Sequence, residues 1–133
     1  MSESENVERV RAAFARWNLG DHEALIEEFD PEVEIRAASS EGLSGEPFVG
    51  YDGFRAWIAT MEESFEVWEI HPQLFHERGD VVVVLGSMHL RGRGSGVELD
   101  QETGWVLELR DGRVRRLRAF LGHEQALAAG GIS

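Results

Sequence analysis

The chain has 133 residues and a mass of 14.9 kDa, the size of one domain, and 42% of its residues are hydrophobic, which argues against disorder. Acidic residues outnumber basic ones by 25 to 13, and the net charge of −12 opposes phosphate backbones and anionic lipid, so no nucleic-acid or membrane partner is expected. There is no cysteine, hence no disulfide and no thiol chemistry. No apolar run approaches the roughly 20 residues of a membrane span, and the polar start MSESENVERVR is unlike a secretory signal. The expectation is a soluble, cytoplasmic protein of one domain over 1–133.

The first half of the chain reads as helix. Val7, Val10, Phe14 and Trp17 recur at three- and four-residue spacing, one stripe of an amphipathic helix with Ser4 as its N-cap. Asn18-Leu19-Gly20-Asp21 ends it, and Asp21 can cap a short second helix whose inner face is Leu25, Ile26 and Phe29. Asp30-Pro31 is expected to stop that helix. Val33, Ile35 and Ala37 alternate with Glu34 and Arg36 as in a half-buried strand. Residues 38–50 carry Ser, Gly and Pro and read as loop. A third helix is expected over Asp52 to Ser64, with Phe54, Trp57, Ile58 and Met61 on one face.

From Glu66 the pattern becomes strand-like, over 66–77, 80–92, 97–110 and 113–121, with turns at Gly79-Asp80, Gly92 to Gly96 and Asp111-Gly112. A short helix, His123 to Ala129, closes the chain. In 97–110, Leu99, Gln101, Thr103, Trp105, Leu107 and Leu109 share one face and should point inward. Leu117, Ala119 and Leu121 form the matching face of the last strand. A two-residue loop at Asp111-Gly112 would set Leu107 against Arg116 and mix the faces. A three-residue loop with Gly112 in a left-handed bulge instead sets Leu107 against Leu117, Trp105 against Ala119 and Glu108 against Arg116. The bulged hairpin is predicted.

Helices followed by a meander of long strands make an α+β pattern. The stretch WNLGDHEALIEEFDPEVEI resembles the first motif of SnoaL-like proteins, within the nuclear transport factor 2-like superfamily. VGYDGFRAW resembles that family's third-helix start, and GRGSGVELDQETGWVLELRDGRVRRLRAFLGHEQALAAGG its strand-turn-strand ending. The resemblance covers nearly the whole chain. It implies a cone: a curved antiparallel or mixed sheet wrapped around the N-terminal helices and enclosing an apolar pocket. Family members include polyketide cyclases, ketosteroid isomerases, dehydratases and epoxide hydrolases, so the fold alone does not decide the activity.

The resemblance also implies where acid–base groups would stand. Isomerase chemistry needs a carboxylate to move a proton and an acid to hold an enolate oxygen. The family places these at positions matching Ala37 and Trp105. SnoaL-type cyclases place a His at the position matching Trp105 and an Asp at that matching Ala119. Ala carries no proton and Trp only donates a hydrogen bond, so neither pattern survives. What remains facing inward is Trp17, Ala37, Trp57, Met88, Gln101, Thr103, Trp105, Ala119 and Leu121, an apolar, aromatic-walled pocket with few neutral polar groups. The plainer alternative is that the tryptophans fill the core and that Gln101 and Thr103 make ordinary buried hydrogen bonds. Tyr51, at the start of the third helix, is the one weak catalytic candidate and stands more naturally at a rim.

The five histidines, His22, His71, His76, His89 and His123, show no ligand spacing, so neither a metal nor another cofactor is expected. His89 should lie on the outer sheet face. RGRGSG at 91–96 joins strand to strand and lacks the following helix of a phosphate loop. Of Arg113, Arg115, Arg116 and Arg118, Arg116 at least should be neutralised across the strand. The outer face, with Val106, Phe120, Arg116, Arg118, His89 and several glutamates, would suit a two-fold homodimer. Three readings follow: a binding protein for a small apolar molecule, a cyclase-, isomerase- or dehydratase-type enzyme with a different proton carrier, and a dimeric interaction module with a filled cone.

Overall fold

Ser4 opens the first helix as its position indicates: its hydroxyl oxygen accepts from the Val7 N–H at 3.2 Å, and α1 runs Glu5–Asn18. The structure is a computed structural model that describes residues 4–36, 38–39, 42–43 and 46–132. The α1 stripe, Val7, Val10, Phe14 and Trp17, is buried. Leu19 and Gly20 end the helix through N–H bonds to the carbonyls of Arg16 and Trp17. Asn18 docks that end onto the sheet. Its amide donates to the Ile70 carbonyl at 2.6 Å and accepts from the Ile70 N–H at 3.0 Å.

The second helix, α2, spans His22–Leu25 and tightens into a 3₁₀ turn at Ile26–Glu28. Asp21 stands at its N-cap, but only its backbone carbonyl accepts, from the Leu25 N–H; the carboxylate caps nothing. Asp30-Pro31 does not stop this helix. The chain is already extended at Phe29, and β1, Phe29–Arg36, runs through both residues. Pro31 has no N–H to offer a ladder, and the pairing of β1 with the last strand is irregular over that stretch. Ala37 lies outside the described residues.

The stretch expected as loop contains three two-residue strands: β2, Ala38–Ser39, paired with β3, Gly42–Leu43, and β4, Phe48–Val49, paired with β1. Helix α3 begins earlier than expected and spans Gly50–Ser64, with Phe54, Trp57 and Ile58 buried. The long strands are β5, Phe65–Arg78; β6, Val81–Gly92; β7, Glu98–Arg110; and β8, Arg113–Phe120. Helix α4 is His123–Ala129. The six-stranded sheet has the order β4-β1-β8-β7-β6-β5 and is mixed, because β1 lies parallel to β8. Its concave face holds α1, α2 and α3 through one apolar cluster. This is the α+β cone.

The β7–β8 register is the expected one: Trp105 faces Ala119, Leu107 faces Leu117, and Glu108 faces Arg116 with an ion pair of 3.2 Å. The means differ. Arg110 pairs with Arg113, so the loop has two residues. Asp111 and Gly112 both have positive φ, at 54° and 78°, as a tight primed turn requires. The extra residue is Arg115, bulged out between the Leu109–Val114 and Glu108–Arg116 pairs. The bulge, placed after the turn, restores the face that a two-residue loop alone would flip.

The outer face of β7 is not open as expected. Val106 is fully buried with Val83, Leu85 and Ala126, and Phe120 packs against this cluster. Helix α4 lies over it. The Glu102 carboxylate accepts from the His123 N–H at 3.1 Å, and a His123 ring nitrogen lies 2.8 Å from the Gly86 carbonyl oxygen. A Cβ on Gly104 would overlap Ala126, so only glycine lets the helix lie this close. What stays exposed on the outer face is charged or polar, with the exception of Leu74 on β5, opposite Leu85. His89 sits there as anticipated, 2.8 Å from Asp100 and 3.3 Å from Glu98, and the Asp100 hydrogen bond raises its pKa.

Candidate functional site

The inner ends of the helices and the middle of the sheet do not quite close. Between them is a cavity of about 40 Å³. Helix α1 contributes Ala13, Phe14 and Trp17, α2 Leu25, and α3 Trp57. The sheet contributes Phe29 from β1, Ile70 from β5, Trp105 and Leu107 from β7, and Val114 and Leu117 from β8. Each comes from an inward position of its element, so amphipathic patterning builds this wall.

Aromatic packing sets the shape. Phe14 meets Trp105 edge-on at 5.2 Å between centroids. Trp17 lies 5.2 Å from Trp57 and 4.5 Å from Trp68, the latter at 80°, while Trp57 and Trp68 meet at 5.4 Å and 86°. His22 lies tilted against Trp17 at 4.5 Å between centroids and reaches Glu62 at 3.6 Å. The indole N–H groups of Trp17 and Trp68 are buried without a hydrogen-bond acceptor.

Of the pocket residues expected from the sequence, Trp17, Trp57 and Trp105 line the cavity. Met88, Gln101, Thr103, Ala119 and Leu121 are not part of its wall. Thr103 is fully buried, and its hydroxyl donates to the Gln101 carbonyl at 2.9 Å. The Gln101 amide turns to the Glu102 carbonyl at 2.9 Å. Both polar groups are spent locally, and alternation along a strand cannot reveal that. Tyr51 donates to the Phe29 carbonyl at 3.0 Å, tying α3 to β1. It faces a polar surface groove with Arg9, Glu27, Glu28, Asp111 and Arg113, not the apolar cavity. Wall residues the sequence reading left out, such as Leu25, Phe29, Ile70, Leu107, Val114 and Leu117, look like any core residue in a periodic pattern.

Among the described residues, the cavity wall has no titratable side chain. A buried carboxylate with a lowered pKa lies elsewhere. Asp30, nearly buried on β1, accepts from the Glu32 N–H at 2.8 Å and forms a fork with Arg110 at 3.0–3.2 Å. The Glu32 N–H, then Arg110, hold its pKa below the ordinary 3.8 against the opposing effect of burial. That arrangement ties β1 to the end of β7. Among the described residues no group of three His, Asp or Glu side chains could hold a metal ion, and no helix is long and apolar enough to cross a membrane.

Residues 10–117 match the model of the SnoaL-like domain. A comparison with curated proteins gives no match. Among solved structures, an NTF2-like protein of unknown function from Burkholderia pseudomallei superposes with a TM-score of 0.80 at 18% identity, over 96% of this chain and 98% of that one. TerC, co-crystallised with polyporic acid, superposes at 0.78 with 24% identity, over 96% and 98%. A protein from Jannaschia sp. assigned as a SnoaL-like polyketide cyclase superposes at 0.78 with 22% identity, over 100% and 99%. At these identities the likeness is one of fold.

Proposed function

This chain belongs to the SnoaL-like domain family, and within it we propose that the protein holds a small apolar molecule between the helices and the sheet rather than transforming one. One observation carries the reading: among the described residues the cavity wall is apolar side chains throughout, with no acid or base to move a proton. The family counts cyclases and isomerases among its members, and their chemistry needs such groups. TerC, of the same fold, takes polyporic acid into its crystals, which supports a small organic occupant here.

The cavity of about 40 Å³ is smaller than the roughly 150 Å³ void that takes benzene. Ring-bearing ligands therefore enter only if the aromatic wall shifts. Calorimetric titration with indane tests this. Binding is expected to the natural chain and to be lost in Ala13→Leu, which fills the cavity from α1 with a good helix former. No binding to the natural chain removes the reading.

The small volume favours a second reading, the filled cone as an interaction module. Its dimer face would be the charged outer surface beyond α4, around His89, Glu98, Asp100 and Arg91, where both signs are present for a two-fold copy to match. A mass of twice 14.9 kDa by light scattering at micromolar concentration supports that dimer, and a single-chain mass removes it.

A further inference from the structure

The polar surface groove, about 560 Å³ in volume, shares no wall residue with the apolar cavity. Four elements meet there. Helix α1 brings Arg9, the turn after α2 brings Ile26, Glu27 and Glu28, α3 brings Tyr51, and the β7–β8 hairpin brings Asp111 and Arg113. The bond from Tyr51 to the Phe29 carbonyl holds its ring in place and leaves the phenol oxygen free to accept.

The basic charges gather at the hairpin tip. The Arg9 guanidinium lies over Gly112 and donates to its carbonyl at 3.3 Å; a Cβ on Gly112 would come within 2.9 Å of it. Arg113 is the next residue. Acidic residues outnumber arginines by 25 to 13, yet among the described residues the Arg113 side chain makes no ion pair or hydrogen bond, and neither does that of Glu27. The other two charges are partly engaged, Arg9 by Glu5 at 2.9 Å and Glu28 by Arg16 at 3.7 Å. The Arg9 pKa is raised, foremost by the Glu5 hydrogen bond and least by the charge of Glu28, which acts on it without direct contact. Opposite charges thus line one groove and do not meet. An anion drawn to Arg113 is opposed by Glu27, Glu28 and Asp111, and a cation drawn to Glu27 is opposed by Arg9 and Arg113; a molecule with both charges, set apart, is matched at each end.

We propose that this groove binds a short peptide with free ends, its carboxylate on Arg9 and Arg113, its ammonium on Glu27, and its apolar side chains against Ile26 and the Tyr51 ring. A guanidinium fork takes a carboxylate in two parallel hydrogen bonds. The groove is large enough for two residues rather than one. This site and the apolar cavity stand or fall separately.

Leucyl-leucine and its end-blocked forms test the proposal by calorimetric titration of the full chain at neutral pH and low salt. Leucyl-leucine is expected to bind at least roughly threefold tighter than N-acetyl-leucyl-leucine, which lacks the ammonium, and than leucyl-leucinamide, which lacks the carboxylate. Arg113→Gln should shrink the preference over leucyl-leucinamide and keep the other; Glu27→Gln should do the reverse. Both side chains are exposed, so neither change threatens the fold. Ala13→Leu, which fills the apolar cavity, should leave leucyl-leucine binding unchanged. No binding of leucyl-leucine, equal affinity for the three peptides, a variant that weakens all three alike, or loss of binding in Ala13→Leu overturns the proposal, and none of these results bears on indane in the cavity.

Discussion

The two faces of β7 solve the same problem with opposite materials. On the inner face, Trp105 packs edge-on against Phe14 beside a three-tryptophan cluster, and the large rings leave a void and two unpartnered indole N–H groups. On the outer face, one residue away, Gly104 and Val106 lie against Ala126, and Gly130 meets Val83, with no room for a methyl group at either glycine. Small residues interlock without slack, while large flat rings tile imperfectly and can tilt. The outer contact leaves no slack between α4 and the sheet, and the inner one leaves a void of about 40 Å³.

The largest effect expected from breaking this contrast is on the inner side. Trp105→Ala removes a ring that is 3% exposed and should lower stability by about 3–5 kcal/mol, read from the urea midpoint. Next is the outer side. Gly104→Ala should cost about 1–3 kcal/mol by pushing α4 off the sheet. Ala126→Gly in the same chain should recover most of that loss, since the two positions share one contact; additive losses would show that the helix is not held there.

A smaller effect concerns pH. Asp30 has its pKa lowered in the fold, so it contributes stability above the ordinary carboxylate pKa. That contribution is lost as pH falls below the ordinary value and through the lowered one. Asp30→Asn should flatten the acid limb of a stability-against-pH curve, and an unchanged limb would assign it to other carboxylates. The smallest expected change is Ser4→Ala, about 1 kcal/mol, from losing the cap on Val7 N–H, seen as a small drop in thermal midpoint.

The same contrast explains what the sequence displays and what it hides. A stripe such as Val7, Val10, Phe14 and Trp17 has one explanation, a helix with one buried face, and it was legible. So was the β7–β8 register, because Glu108 against Arg116 and Leu107 against Leu117 fit only one alignment of the faces. The device that sets that register, a bulge at Arg115 behind a two-residue turn, was not legible, since a three-residue loop gives the same pairs. The burial of Val106 was hidden too: alternation tells inside from outside only while one face meets water, and α4 removes that condition. At the site, the three wall tryptophans could be picked out because large aromatic side chains on inward positions must meet somewhere. Gln101 and Thr103 misled because their parity is right while their polar atoms bond to neighbouring backbone.

Diffraction from crystals pressurised with xenon would test the central claim most directly, because xenon occupies small dry apolar cavities without needing a hydrogen bond. The account predicts a xenon peak enclosed by Phe14, Trp17, Trp57 and Trp105, with the outer contact of α4 unchanged. An inner core closed around those rings, with no xenon between them, would contradict it.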